Sequence, residues 1–232
     1  VAIAEMLDGG KVILAEMRPG QGTIGLLMGL MRTDGMARLL AQGPGGFTAQ
    51  MIKEALITHE SGLDLLLSPI QPTPYDDKLT PEAAESLVRG LTSLAAFTVL
   101  DLGSGLDPLN KRLVTLADQV VVTVEPQRVS LMLGHRMLEE LKQLNIGVTK
   151  MGAVMVNRAP SAVPVSYQST QEQLGGELLS IISAAPELAY QAAENGKPLI
   201  QLQPNSLPAG QIRKLAQELL ERLGTKVEIR PT

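Results

Sequence analysis

The chain has 232 residues, 44% of them hydrophobic and 19% charged, which is a globular composition and leaves room for one α/β domain with a sizeable core. Its net charge of −4 and its aromatic content of 2% argue against DNA attraction by overall charge and against base-stacking platforms. Without cysteine, the chain has no disulfide, thiolate metal site, iron–sulfur cluster or cysteine nucleophile. No apolar run is long enough for an integral membrane segment.

Short apolar runs alternate with amphipathic segments along the whole chain. The predicted strands are 11–17, 63–67, 97–101, 119–124, 152–157 and 177–182. The predicted helices are 1–8, 26–31, 50–57, 80–94, one from 107 onward, 129–144 and 208–223. Segments 68–78 and 160–173 contain several prolines and are predicted to be loops. This alternation predicts the α/β class: a mostly parallel sheet with helices on both faces, in three α/β/α layers.

The strand 97–101 ends in Asp101 and is followed by a glycine-rich turn that includes Gly103. A carboxylate at the end of a central strand is the arrangement that holds Mg²⁺ through water beside bound phosphates. The structural alternative is an aspartate that only forms the turn. Asp101 is the candidate metal-side residue of this chain.

A second polar cluster lies at the end of the first predicted strand, where Glu16 and Arg18 precede a Pro–Gly loop. Glu16 is predicted either to assist a bound Mg²⁺ or to position a water molecule. The alternative is a solvated loop in which Glu16 forms a salt bridge with Arg18. The residues alone leave these two interpretations open.

Asn157 and Arg158 lie at the end of the predicted strand 152–157. An amide can pair with the edge of a purine and a guanidinium can stack on its face, although both residue types are also common in loops. His59 and His135 have no metal-ligand spacing and are predicted to be solvated.

The phosphate-loop pattern G-x-x-x-x-G-K-[ST] does not occur in these 232 residues. Such a loop would precede the helix predicted at 1–8. We therefore expect the phosphate loop to lie upstream of Val1.

Several of these segments, taken in chain order, resemble the MinD/ParA superfamily of deviant Walker ATPases. Residues 11–22 are similar to its strand followed by D-x-D-P-Q-G, and residues 97–105 to its D-L-P-x-G segment. Residues 116–126, 154–158 and 185–199 are similar to three later motifs of the superfamily. Residues 65–69 and 79–81 resemble the CpaE/TadZ branch, whose members take part in pilus assembly.

The resemblance implies a single nucleotide-binding domain over 1–232 that lacks its first strand and phosphate loop. It implies ATP or ADP and Mg²⁺ as ligands, with Asp101 on the metal side. The residues expected on the nucleotide side are Glu16, Arg18, Gly103, Asn157, Arg158 and Pro186. It also implies a cytoplasmic homodimer that acts with protein partners of a pilus or secretion apparatus, recruited through them to a pole or membrane.

Arg18 stands where the superfamily has its second carboxylate, which is tied to water activation. A guanidinium cannot act as a base, so hydrolysis is expected to be weak or absent. The alternatives are a structural pseudo-ATPase that binds no nucleotide, an active, dimer-gated MinD-type ATPase and a ParA-like DNA partition protein. The negative net charge argues against the partition protein.

Overall fold

The computed structural model describes residues 1–7, 10–18, 21–43, 46–70, 79–159 and 166–224. Within these ranges the chain divides into two compact units, one of residues 1–113 with 192–198 and one of residues 114–191 with 199–224. Most of the predicted loop 68–78 and the first part of the predicted loop 160–173 lie outside the described residues. The expectation of a single domain over 1–232 stays a prediction.

The first unit is built on a four-stranded sheet with β1 in its interior. The strands are β1 (Val12–Glu16), β2 (Ile57–Thr58), β3 (Leu63–Leu66) and β4 (Phe97–Asp101), in the order β2-β3-β1-β4. Strand β1 runs parallel to β3 and β4, while β2 is antiparallel to β3. The helices that begin in this unit are α1 (Ala2–Met6), α2 (Ile24–Leu27), α3 (Gly35–Ala41), α4 (Ala49–Ala55), α5 (Pro81–Leu94) and α6 (Pro108–Leu116).

Helix α5 begins and ends as its sequence predicts. The Thr80 hydroxyl accepts a hydrogen bond from the Ala83 N–H at 3.2 Å, and Pro81 occupies the first helical position. On the exposed side, Arg89 and Arg112 donate to the Glu85 carboxylate. The hydrogen bond from Arg89, followed by that from Arg112, lowers the pKa of Glu85 below its ordinary value.

The prediction that His59 is solvated is wrong. Its side chain is buried and links β2 to the turn after α2, because Nε2 lies 3.1 Å from the carbonyl oxygen of Met28. The Ser61 N–H donates to Nδ1 at 3.0 Å, which leaves Nε2 as the donor to Met28. His135 is half-buried in a helix of the second unit, and its Nδ1 lies 3.0 Å from the Leu174 carbonyl oxygen.

The second unit contains a three-stranded sheet in which both strand pairs are parallel. The strands are β5 (Val120–Val124), β6 (Met151–Val156) and β7 (Leu178–Ile182), with the buried β6 in the middle. The remaining helices are α7 (Arg128–Gln143), α8 (Tyr167–Leu174), α9 (Pro186–Glu194), α10 (Leu199–Leu202) and α11 (Leu207–Arg222), and a 3₁₀ turn spans Val148–Lys150. Residues of α9 from Ala192 onward group with the first unit. The predicted α/β class with mostly parallel strands is confirmed.

Helix α8 lies where the sequence predicted a loop at 160–173. The Ser166 hydroxyl caps this helix by accepting from the Ser169 N–H at 3.3 Å, and Gly175 ends it in the left-handed conformation. The prediction failed because α8 is polar: among its residues only Thr170 and Leu174 are buried. A helix with so narrow an apolar stripe gives little periodic signal.

Candidate functional site

The register of two parallel strands places Glu16 and Asp101 side by side. Strands β1 and β4 pair so that Glu16 lies directly opposite Asp101, each being the last residue of its strand. The Met17 N–H donates to the Asp101 carbonyl oxygen at 2.9 Å and continues the pairing by one residue. Two carboxylates therefore meet at the carboxyl-terminal edge of the first sheet, where open α/β sheets bind their ligands.

The guanidinium of Arg18 lies between these two carboxylates. Its Nη2 is 2.8 Å from Oδ2 of Asp101 and 3.3 Å from Oε1 of Glu16. The same nitrogen donates to the Thr23 hydroxyl at 3.2 Å. The Arg18 side chain is only 25% exposed, so its positive charge offsets the two negative ones in a partly desolvated place, where ion pairs are screened less than at the surface.

Glu16 is fully buried and organises the backbone around the site. Its Oε1 accepts from the N–H groups of Thr23 at 2.6 Å and Ile24 at 3.1 Å, and its Oε2 accepts from the Ser68 N–H at 3.2 Å. The Ser68 hydroxyl donates in turn to the Glu16 carbonyl oxygen at 2.8 Å. The solvated-loop interpretation of Glu16 is therefore wrong, although the predicted pairing with Arg18 is present. The roles of Glu16 beside Mg²⁺ or water stay predictions.

Two glycines make room for this arrangement. Gly103 has a φ of +69°, its N–H donates to Oδ1 of Asp101 at 3.0 Å, and a Cβ atom there would lie 2.4 Å from Cδ of Arg18. A Cβ atom on Gly22 would lie 1.7 Å from the Ser68 carbonyl oxygen and 3.1 Å from Oε2 of Glu16. Both positions require glycine because side-chain and backbone atoms of the site fill the space beside them.

The Asn110 side chain stabilises the turn after β4 through hydrogen bonds. Its Nδ2 donates to the carbonyl oxygens of Leu102 and Gly105, both at 3.1 Å, and its N–H donates to Oδ1 of Asp107 at 2.7 Å. The side chain is buried, and its Oδ1 has no hydrogen-bond partner among the described residues. Asn110 therefore fixes the backbone that carries Gly103.

The other predicted site residues lie in the second unit. The backbone N–H of Asn157 donates to the Ile182 carbonyl oxygen at 2.9 Å, and its side-chain Oδ1 accepts from the Ala159 N–H at 3.3 Å. Arg158 pairs with Glu125 at 3.2 Å through an exposed side chain. Pro186 is the first residue of α9. The structure brings Glu16, Arg18, Asp101 and Gly103 together in the first unit and places Asn157, Arg158 and Pro186 in the second.

The residues around Asp101 do not fit a divalent cation as they stand. Oδ2 forms an ion pair with Arg18 and Oδ1 accepts a hydrogen bond from the Gly103 N–H, so both oxygens already have a partner. Mg²⁺ requires near-octahedral oxygen ligands at about 2.0–2.1 Å and carries two positive charges that would face the guanidinium. The described residues contain no group of three or more His, Asp or Glu side chains that could hold a metal ion. The magnesium role of Asp101 stays a prediction without support from this geometry.

Sequence reasoning missed three residues of the site. Ser68 follows β3, as Glu16 ends β1 and Asp101 ends β4, and this shared position at strand ends was the available signal. Thr23 and Asn110 gave no comparable signal, because their importance depends on contacts with residues distant in sequence.

The chain has the α/β fold of the MinD and ParA ATPases. It is similar over 93% of its length to 89% of a ParA family ATPase from Chlorobium tepidum TLS (TM-score 0.80, 16% identity). It is also similar over 98% to 90% of the septum site-determining protein MinD in complex with Mg-ADP from Pyrococcus horikoshii OT3 (TM-score 0.78, 18% identity). It is similar as well, over 99% of its length, to 89% of a chain in the MinC:MinD cell division protein complex of Aquifex aeolicus (TM-score 0.76, 19% identity).

At these identities the likeness defines the fold. No family model matches the sequence, and no curated protein matches it. In the described part of the chain, no helix is both long enough and apolar enough to cross a membrane.

Proposed function

We propose that this protein is a nucleotide-binding regulatory or localisation protein of the CpaE/TadZ type, with weak or no ATP hydrolysis. It would serve pilus assembly or secretion as a platform for other proteins. The observation that carries the proposal is the placement of Arg18, whose guanidinium lies between Glu16 and Asp101 at the carboxyl edge of the first sheet.

The chemistry of Arg18 argues against turnover. A guanidinium stays protonated at every pH at which the protein is folded, so it cannot accept a proton from an attacking water. It is, however, well suited to bind phosphate oxygens through paired N–H groups. Glu16 already accepts hydrogen bonds from the backbone N–H groups of Thr23, Ile24 and Ser68, so its carboxylate has a structural role. A guanidinium between the two carboxylates supports a binding protein over a turning-over ATPase, because it supplies no base.

The structural neighbours support nucleotide and protein partners as ligands. The MinD structure from Pyrococcus horikoshii contains Mg-ADP, and that from Aquifex aeolicus is a complex with MinC. By analogy, we propose ATP or ADP as the ligand of this chain and another protein as the partner that reads its bound state. The pilus or secretion setting rests on the CpaE/TadZ resemblance of residues 65–69 and 79–81.

A homodimer is part of the proposal. The exposed apolar side chains Leu26, Leu27 and Met31 lie shortly after Thr23 and Ile24, which bind Glu16. Clustered exposed apolar side chains commonly mark interaction surfaces. We place the interface of the dimer on this segment, beside the candidate site.

Two measurements test the proposed function. Equilibrium binding of a fluorescent ATP analogue should show saturable binding in the micromolar range, and phosphate release should be weak or equal to that of a protein-free blank. Arg18→Asp restores a carboxylate at this position, and Arg32→Asp is the matched control, since Arg32 is an exposed residue paired with Asp34. If the wild type releases phosphate rapidly and Arg18→Asp does not change the rate, the proposal of weak or no hydrolysis is wrong. If the wild type binds no nucleotide, the proposal of a nucleotide-binding protein is wrong.

A further inference from the structure

The Asp101 carboxylate is occupied on both of its oxygens by groups of the chain itself. Nη2 of Arg18 forms an ion pair with Oδ2 at 2.8 Å, and the Gly103 N–H donates to Oδ1 at 3.0 Å. The Arg18 side chain is held at its other contacts by Glu16 and Thr23. Its aliphatic part lies against Gly103, where a Cβ atom would approach Cδ of Arg18 to 2.4 Å. The guanidinium is therefore built into the site and is not a side chain that happens to lie near it.

The charges around Arg18 show what it replaces. Strand register forces Glu16 and Asp101 to lie opposite each other at the ends of β1 and β4. Two neighbouring carboxylates that are partly or fully desolvated repel each other unless a cation lies between them. In a site of this chemistry the cation can be a divalent metal ion or a side chain, and here the guanidinium of Arg18 lies in that place.

We infer that Arg18 replaces the divalent cation at Asp101, so that this edge of the sheet binds no Mg²⁺ and meets phosphate oxygens through the guanidinium alone. The identity of the bound group as the phosphate of a nucleotide rests on the proposed function. The exclusion of the metal ion rests only on the arrangement of Arg18, Asp101, Glu16 and Gly103 and can be tested without nucleotide.

The metal is tested with MnCl₂ alone, by following the EPR signal of free Mn²⁺ during titration of the purified protein. The wild type should show no Mn²⁺ site that the change Asp101→Asn removes. Arg18→Gln leaves the two carboxylates without their cation, so it should gain a Mn²⁺ site at least tenfold tighter than any in the wild type. Adding Asp101→Asn to Arg18→Gln should abolish that site again. Arg18→Lys keeps a positive charge between the carboxylates and should resemble the wild type.

Each outcome of the titration decides the inference. A wild-type Mn²⁺ site that is lost with Asp101→Asn overturns it, and so does a folded Arg18→Gln variant that gains none. Should Arg18→Gln fail to fold, as judged by circular dichroism, the wild-type and Arg18→Lys titrations decide alone: a Mn²⁺ site removed by Asp101→Asn in either protein contradicts the inference, and its absence in both supports it.

A second titration separates this inference from the proposed function. The affinity for a fluorescent ATP analogue should differ by less than twofold between 5 mM MgCl₂ and 5 mM EDTA in the wild type. Arg18→Asp should bind at least tenfold more tightly with Mg²⁺ than with EDTA. Wild-type binding that requires Mg²⁺ overturns the inference while leaving the proposed function intact. A wild type that binds no nucleotide under either condition refutes the proposed function, and the Mn²⁺ titration still decides the role of Arg18.

Discussion

Replacing Glu16 by Gln should destabilise the first unit far more than its conservative size suggests. The buried carboxylate accepts three backbone N–H bonds, from Thr23, Ile24 and Ser68, and pairs with Arg18. A glutamine amide keeps one acceptor oxygen and turns its NH₂ toward at least one of these donors. Leaving a buried donor unsatisfied costs about 1–3 kcal/mol, and weakening the remaining charge-assisted bonds costs about 1 kcal/mol more.

The expected loss in the free energy of unfolding is therefore about 2–4 kcal/mol, a large part of the 5–15 kcal/mol of a typical domain. Urea unfolding followed by far-UV circular dichroism should show the midpoint fall by about 1 M, for an m-value of about 3 kcal/mol/M. Glu60→Gln is the matched control, since Glu60 lies exposed in the turn after β2. If the Glu16 variant unfolds at the midpoint of the wild type and of the control, the carboxylate does not stabilise the backbone of Thr23, Ile24 and Ser68.

Three further changes test other parts of the first unit. Gly22→Ala places a Cβ atom 1.7 Å from the Ser68 carbonyl oxygen and should lower the thermal midpoint by several degrees, whereas Gly210→Ala, which meets no atom within 4 Å, should not; equal effects would contradict this. Asn110→Ala removes two hydrogen bonds to the turn after β4 and should lower the free energy of unfolding, measured with urea, by about 1–3 kcal/mol. An unchanged free energy of unfolding would show that the turn is stable without these two bonds. The folded-state pKa of Glu85 is lowered by its two arginine partners, so its stabilising effect should be present above pH of about 4.3 and disappear as pH falls through the folded-state pKa. The difference in thermal midpoint between the wild type and Glu85→Gln should accordingly be larger at pH 7 than at pH 3, and a constant difference would contradict the assignment.

The sequence predicted those elements whose signals are local. Strand β4 has the predicted bounds because an apolar run stops at Asp101, and α5 does because Thr80 and Pro81 mark its start. Helix α3 (Gly35–Ala41) was not predicted, because its segment opens with glycine, a poor helix former. Helix 50–57 was predicted too long, since the chain turns at Leu56 and Ile57 enters β2.

The sequence predicted most residues of the candidate site but did not predict the contacts among them. Glu16, Arg18, Asp101 and Gly103 all stand at strand ends or turns that sequence reasoning identified. The contacts among them depend on parallel pairing of β1 with β4, which brings together residues far apart in the chain. Ser68 lies 52 residues from Glu16, so its two hydrogen bonds to that residue follow from the sheet topology and from no local pattern.

The proposed dimer gives a last prediction, on the segment Leu26 to Met31. Leu26 and Met31 are 53% and 93% exposed, so both are free to contact a partner, whereas Met28 between them is part of the buried core and is not. In a symmetric dimer both subunits contribute the same residues, so each position buries two side chains at the interface. Burying a leucine or methionine contributes about 1.5–3 kcal/mol, so replacing Leu26 and Met31 together by lysine should weaken dimerisation at least a hundredfold. The double Leu207→Lys and Val148→Lys variant changes two apolar residues of the second unit that are 66% and 65% exposed, and it serves as the control. Sedimentation equilibrium at tens of micromolar protein should show a dimer for the wild type and the control and a monomer for the first variant. A wild-type monomer, with or without ATP, would remove the dimer from the proposed function, and a dimer that survives the Leu26 and Met31 changes would move its interface elsewhere on the chain.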